Sequence, residues 1–193
     1  MKRIYPYVVL GVLLIVYILN YLDRQLVSIL VEPIRKELGF TDGQLGLITG
    51  LAFAAFYSVC GVPVAWLADR TNRVRVLTVA CTMWSVATAC CGLSTGFGAL
   101  AVSRMTVGVG EAGGAPPSYS IISDYFPKKQ RGVALAIFSL GVPLGQAAAV
   151  AFGVPIAEAF SWNVAFYSLG AMGVLAAIAL ILLVREPKRG AKV

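Results

Sequence analysis

Long apolar runs, each closed by a short polar or glycine-rich break, recur six times along the chain. They lie at approximately 5–31, 44–67, 74–95, 97–123, 133–156 and 162–184. Runs of about 20 apolar residues match the ~30 Å hydrocarbon thickness of a bilayer at ~1.5 Å rise per residue. They lack the ~10-residue alternation of a membrane β-barrel. The pattern predicts an all-α integral membrane protein with six transmembrane helices over residues 1–184. Residues 185–193 read as the start of a polar linker.

Composition supports this class: 59% of the 193 residues are hydrophobic and only 13% are charged. The net charge of +7 is a matter of topology. Lys2 and Arg3 precede the first run, Arg70, Arg73 and Arg75 follow the second, and Lys128, Lys129 and Arg131 follow the fourth. Arg185, Lys188, Arg189 and Lys192 follow the sixth, whereas the opposite side holds only Arg35 and Lys36, offset by Glu32 and Glu37. The positive-inside rule places both termini and the two basic loops in the cytoplasm of a multi-pass protein of the cell (inner) membrane. No nucleic-acid partner is needed to explain the basicity. A cleaved leader over residues 1–22 is disfavoured, because the apolar stretch is long and no Ala-x-Ala site follows it.

Four charges interrupt the apolar runs. Asp23 and Arg24 lie on the first, and Arg104 and Glu111 on the fourth. An ionisable side chain inside a bilayer costs at least ~2.5–3.5 kcal/mol on insertion scales, so it usually faces a polar cavity and serves a function. The first helix is expected to continue beyond Asp23, because Leu26-Val27-Ser28-Ile29-Leu30-Val31 resumes the apolar run. Asp23 then lies ~12 Å below the outer end and Arg104 ~10 Å. Arg104 and Glu111 are seven residues apart, close to two turns, and share a helix face. If the first and fourth spans are neighbours, Asp23 pairs with an arginine and Glu111 lies near the midplane.

This arrangement suits proton coupling. Desolvation favours a neutral acid and a nearby arginine favours a carboxylate, so relative movement of the two switches protonation. Asp23 and Glu111 are the candidate proton carriers. Arg24 and Arg104 are candidate anion binders, because a guanidinium stays charged and matches carboxylate or phosphate geometry. The alternative is a permanently paired quartet that fixes helix register, which apolar residues achieve at less cost. Beside Glu111 the segment holding Gly108, Gly110, Gly113, Gly114, Pro116 and Pro117 predicts helices that bend or pack closely. Cys60, Cys81, Cys90 and Cys91 have no metal or redox spacing, and the chain has no histidine. Neither a nucleophile elbow nor a Walker-type loop is present, which argues against an enzyme and against ATP as the energy source. No metal or cofactor is expected, the proton being the coupling ion.

The segment from Ala65 to Arg75 resembles the loop motif between the second and third helices of major facilitator superfamily transporters. Leu67, Ala68, Asp69, Arg70 and Arg73 match it. Ala65 and Asn72 replace two usual glycines, and the terminal basic residue is Val74, with Arg75 one place on. The resemblance implies the N-terminal six-helix half of a twelve-helix fold, with Asp69, Arg70 and Arg73 in a cytoplasmic gate that holds the outward-open state. Asp124 and Arg131, with Lys128 and Lys129, would join that network. Within the superfamily, Asn20-Tyr21-Leu22-Asp23-Arg24, Arg104 with Gly108–Ala112, and Pro116–Pro127 resemble bacterial spinster-like proteins. That group includes exporters of sphingosine phosphates and lysolipids, and its acid–arginine elements map onto Asp23, Arg24, Arg104 and Glu111.

The resemblance therefore implies a proton-coupled secondary transporter, working by alternating access on an amphipathic, lipid-like anionic substrate. An organic-anion/proton symporter carries a similar quartet, and a lone half acting as a folding scaffold is a third reading. The expected partners are membrane lipid, a small-molecule or lipid substrate and a missing C-terminal six-helix half. The first and fourth spans are expected to face that half and the cavity between them.

Overall fold

The computed structural model describes residues 4–190, and no β-strand occurs among them. Lys2, Arg3 and Lys192, used above for topology, lie outside the described residues.

The first run forms α1 (Tyr5–Ile29), which passes through Asp23 and Arg24 without interruption. Leu26, Val27 and Leu30 are buried, which is why the helix continues beyond the two charges. It ends two residues short of the predicted boundary. Pro33 has no N–H to offer the Ile29 carbonyl, so the chain turns at Leu30 and restarts as the short amphipathic α2 (Val31–Leu38). Gly39, at φ 68°, closes α2 in the left-handed conformation.

A capping box between Thr41 and Gln44 starts the second crossing, formed by α3 (Asp42–Gly46), a π-helical turn (Leu47–Leu51) and α4 (Ala52–Arg70). Asn72 caps α5 (Arg73–Gly92), the third crossing. Ser161 caps the last crossing, α10 (Trp162–Leu183).

The fourth run is interrupted within the glycine–proline segment where bending is expected. It forms α6 (Phe97–Glu111) and α7 (Ala115–Tyr125), joined by a tight turn at Ala112–Gly114. Pro116 and Pro117 cannot donate to the Ala112 and Gly113 carbonyls, so the α-helical ladder breaks there. The Gly113 and Gly114 amides bond three residues back instead, to the Gly110 and Glu111 carbonyls. The fifth crossing is jointed in the same way, as α8 (Lys128–Ser139) and α9 (Gly141–Ala159), with Pro143 just after the joint. Five helical stretches are long and apolar enough to cross a membrane, and α6 with α7 supplies the interrupted sixth crossing.

Packing brings α10 against α5, α9 against α1, and α6 against both α4 and α5. Glycines set two of these seams. A Cβ at Gly145 would lie 2.6 Å from the Ile18 carbonyl oxygen, and one at Gly170 would lie 2.8 Å from that of Ser85. Small residues therefore let backbones touch where lipid tails supply no hydrophobic drive for association. The apolar surface left open includes Val59 and Val62 on α4 and Val133 and Val150 on α8 and α9. In a membrane protein such surface meets lipid or another protein.

Candidate functional site

α1 and α6 carry the four intramembrane charges into two pairs. Arg104 Nη1 lies 3.3 Å from Asp23 Oδ1, and Arg24 Nε lies 2.5 Å from Glu111 Oε2. Asp23, Arg104 and Glu111 are each 1% exposed. The Arg24 side chain is 24% exposed and is the quartet's route to open space. Consecutive residues on α1 point about 100° apart, so Asp23 and Arg24 reach different parts of α6. The seven-residue spacing of Arg104 and Glu111 supplies one partner for each.

The surroundings hold each pair differently. Thr88 on α5 donates its hydroxyl to Asp23 Oδ2, so three helices converge on that carboxylate. Arg24 lies in an aromatic box, with its guanidinium carbon 4.9, 5.1 and 4.4 Å from the ring centres of Tyr21, Phe53 and Tyr57. Phe53 also lies 5.3 Å from the Arg104 guanidinium, which places one ring beside both arginines.

Three buried polar atoms at the site have no protein partner: Glu111 Oε1, Arg104 Nε and Asn20 Nδ2. Buried polar atoms are normally satisfied, so these mark free acceptor and donor capacity beside the ion pairs. The arrangement can therefore hold an anion at the arginines and exchange a proton at a carboxylate. Gly110 keeps α6 close to α5, since a Cβ there would lie 2.8 Å from the Trp84 backbone nitrogen. Gly108 is set against the Phe53 carbonyl oxygen at 2.7 Å by the same measure. Gly113 faces Ala80 and Val64, while Gly114 lies beside Asn20.

A second cluster lies at the basic end of the bundle. Arg73, 2% exposed, donates to Asp124 Oδ2 at 2.6 Å, Glu186 Oε1 at 2.7 Å, Ser120 Oγ at 2.8 Å and the Pro187 carbonyl at 3.1 Å. Glu186 Oε2 accepts from the Val74 amide, and Asp124 Oδ1 from that of Gly190. Arg189 donates to the carbonyls of Ala68 and Thr71. The segment read as the start of a linker is thus bonded to the foot of the domain as far as Gly190.

Of the five residues assigned to a gate, the structure joins Arg73 and Asp124. It brings neither Asp69, Arg70 nor Arg131 into an ion pair with them among the described residues. Asp69 is exposed, Arg70 stacks 4.1 Å over Trp66, and Arg131 has two unpartnered nitrogens.

Sequence reasoning did not pick out Thr88, Phe53, Tyr57 or Glu186. Thr88 resembles threonines that bond within their own helix, as Thr78 and Thr82 do. Glu186 carried a signal, being a lone acid among the basic residues of the tail.

Comparison with known proteins agrees with this architecture. The pattern of the Major Facilitator Superfamily matches residues 13–193. A probable sulfoacetate transporter of Cupriavidus necator is 34% identical over 86% of this chain and 38% of its own. The sphingosine-1-phosphate transporter SPNS2 of Danio rerio is 31% identical over 96% of this chain and 37% of its own. The crystal structure of a bacterial homologue of the human lysosomal transporter Spinster, inward-facing and occupied, superposes with a TM-score of 0.91. It is 37% identical, and the match covers 98% of this chain and 46% of that one. The chain spans about two fifths of the length of the curated relatives it matches. Its six crossings are thus one half of the twelve-helix fold, and the chain belongs to the Major Facilitator Superfamily.

Proposed function

We propose that this chain is the N-terminal half of a proton-coupled secondary transporter for an amphipathic, lipid-like anion. The observation that carries the reading is the pair of crossed acid–arginine contacts, three of whose four members are sealed from solvent. A substrate phosphate or carboxylate that engages the exposed side of Arg24 competes with Glu111 for the guanidinium, and the released carboxylate takes a proton. Loss of the substrate re-forms the pair and expels the proton. Asp23 and Arg104 act as the second, deeper pair of the same relay. The aromatic box around Arg24 suits a substrate with an apolar body beside its charge, and likeness to a sphingosine-1-phosphate transporter supports that class.

The remaining parts follow from this reading. A second six-helix half completes the cavity, and rocking between the halves gives alternating access. The Arg73–Asp124–Glu186 cluster serves as the cytoplasmic gate. The excess of Lys and Arg at one end supports cytoplasmic termini, and on this reading the protein is a multi-pass component of the inner membrane. Likeness to a probable sulfoacetate transporter favours a second reading, symport of a small organic anion with a proton at the same quartet.

Ligand-dependent thermal stability of the complete two-half protein separates the two. A long-chain lysophospholipid at a hundred times its Kd should stabilise the protein by about 2.7 kcal/mol, while a small sulfonate or sugar acid leaves it unchanged. The reverse result selects the organic-anion reading. No response to either class contradicts an anion site at Arg24.

A further inference from the structure

Two apolar clefts flank the basic end of α5. One lies between α5 and α10 and is lined by Val74, Thr78, Ile181 and Val184. The other lies among α4, α5 and α6 and is lined by Val64, Leu67, Met83 and Val109. Each has a volume of about 360 Å³, within the range that holds organic ligands. The clefts share two residues, Arg75 and Val79, which stand one turn apart on the outer face of α5. Val79 is 68% exposed and forms the ridge between the clefts.

Arg75 is the charge at both mouths. It is exposed and takes part in none of the ion pairs among the described residues. The acid that lines the cleft, Glu186, is committed to Arg73 and to the Val74 amide. An uncompensated guanidinium therefore caps two apolar slots at the end of the bundle where basic residues gather. Neither the quartet nor the Arg73 cluster uses it.

We propose that Arg75 and the two clefts form a structural site for an anionic diacyl phospholipid that straddles α5. The phosphate lies on the Arg75 guanidinium, which offers paired N–H donors to two phosphate oxygens. One acyl chain occupies each cleft, with Val79 between them. Two apolar slots joined under one cation match two chains joined under one phosphate, a shape that a single-chain lipid or a soluble anion does not fill. Because α4, α5, α6 and α10 all line the site, a bound lipid ties the connection between α4 and α5 to the rim of the bundle. The proposal rests on the chain's place in the membrane and not on the identity of the transported substrate.

Native mass spectrometry of the complete two-half protein, released from bilayers of phosphatidylglycerol and phosphatidylcholine with matched chains, tests this site. The expected result is one strongly retained phosphatidylglycerol. Arg75→Ala lowers its retention about fivefold, and phosphatidylcholine retention does not change. Val79→Trp, which fills the clefts and leaves the charge in place, lowers retention as well. Equal retention of the two lipids by the unmodified protein overturns the proposal. So does unchanged retention in either variant, because it means that the headgroup binds elsewhere or that another protein surface covers the clefts. Failure here leaves the response to transported ligands intact, so the two readings fail separately.

Discussion

Arg104→Met is expected to destabilise the protein by about 3–5 kcal/mol, the cost of leaving a buried charge without its partner. Asp23 is sealed between α1, α5 and α6, and after the substitution the Thr88 hydroxyl is the one hydrogen-bond donor left to its carboxylate among the described residues. Methionine fills much the same volume as the arginine stem, so the loss reports the missing charge and not a cavity. Adding Asp23→Asn in the same chain removes the stranded acid and is expected to restore most of the stability. Thermal unfolding of the two single variants and the double variant in detergent gives the coupling energy directly. Additive losses would mean that the 3.3 Å contact between Arg104 and Asp23 holds nothing.

Arg73→Ala is expected to cost a similar amount, about 3–5 kcal/mol, since it strands Asp124 and Glu186 at the foot of the bundle. Arg73→Lys should recover only a minor part. One guanidinium serves two carboxylates, a serine hydroxyl and a backbone carbonyl in different directions, and an ammonium with three donors cannot span them. Unfolding midpoints measure the loss. Limited trypsin digestion supplies a local readout, because Arg185, Lys188 and Arg189 lie in the segment that Arg73 holds. Faster cleavage there is expected in both variants. A lysine variant as stable and as protected as the unmodified protein would show that the fork geometry is immaterial.

The sequence made the larger features legible because lipid leaves little choice of structure. A backbone in hydrocarbon must satisfy its own hydrogen bonds, so six apolar runs could be read as six helices. The passage of α1 through Asp23 was readable for the same reason, since Leu26–Leu30 had no other place to go. The break between α6 and α7 was signalled by Gly113, Gly114, Pro116 and Pro117, but apolar residues on both sides hid its position.

Within the site, the shared face of Arg104 and Glu111 followed from their spacing. The choice of partners did not. Whether Asp23 or Arg24 meets Arg104 depends on the rotation of α1 about its axis, which is constrained by packing contacts such as that of Gly145 on α9 with Ile18 and Tyr21. No charge pattern encodes that contact. Thr88 and the aromatic box were silent because threonine and aromatic residues are ordinary components of membrane helices. Their role comes from where packing delivers them.

Proton uptake by liposomes that contain the complete two-half protein, driven by a gradient of its substrate, tests the account most directly. Asp23→Asn and Glu111→Gln are compared with the unmodified protein, with the folded yield of each variant measured alongside. The account predicts that the folded variants lose substrate-driven proton movement while they still bind the substrate at Arg24. Unchanged proton flux in folded Glu111→Gln protein, or a loss that only tracks failed folding, would contradict it and make the crossed pairs a structural fastening.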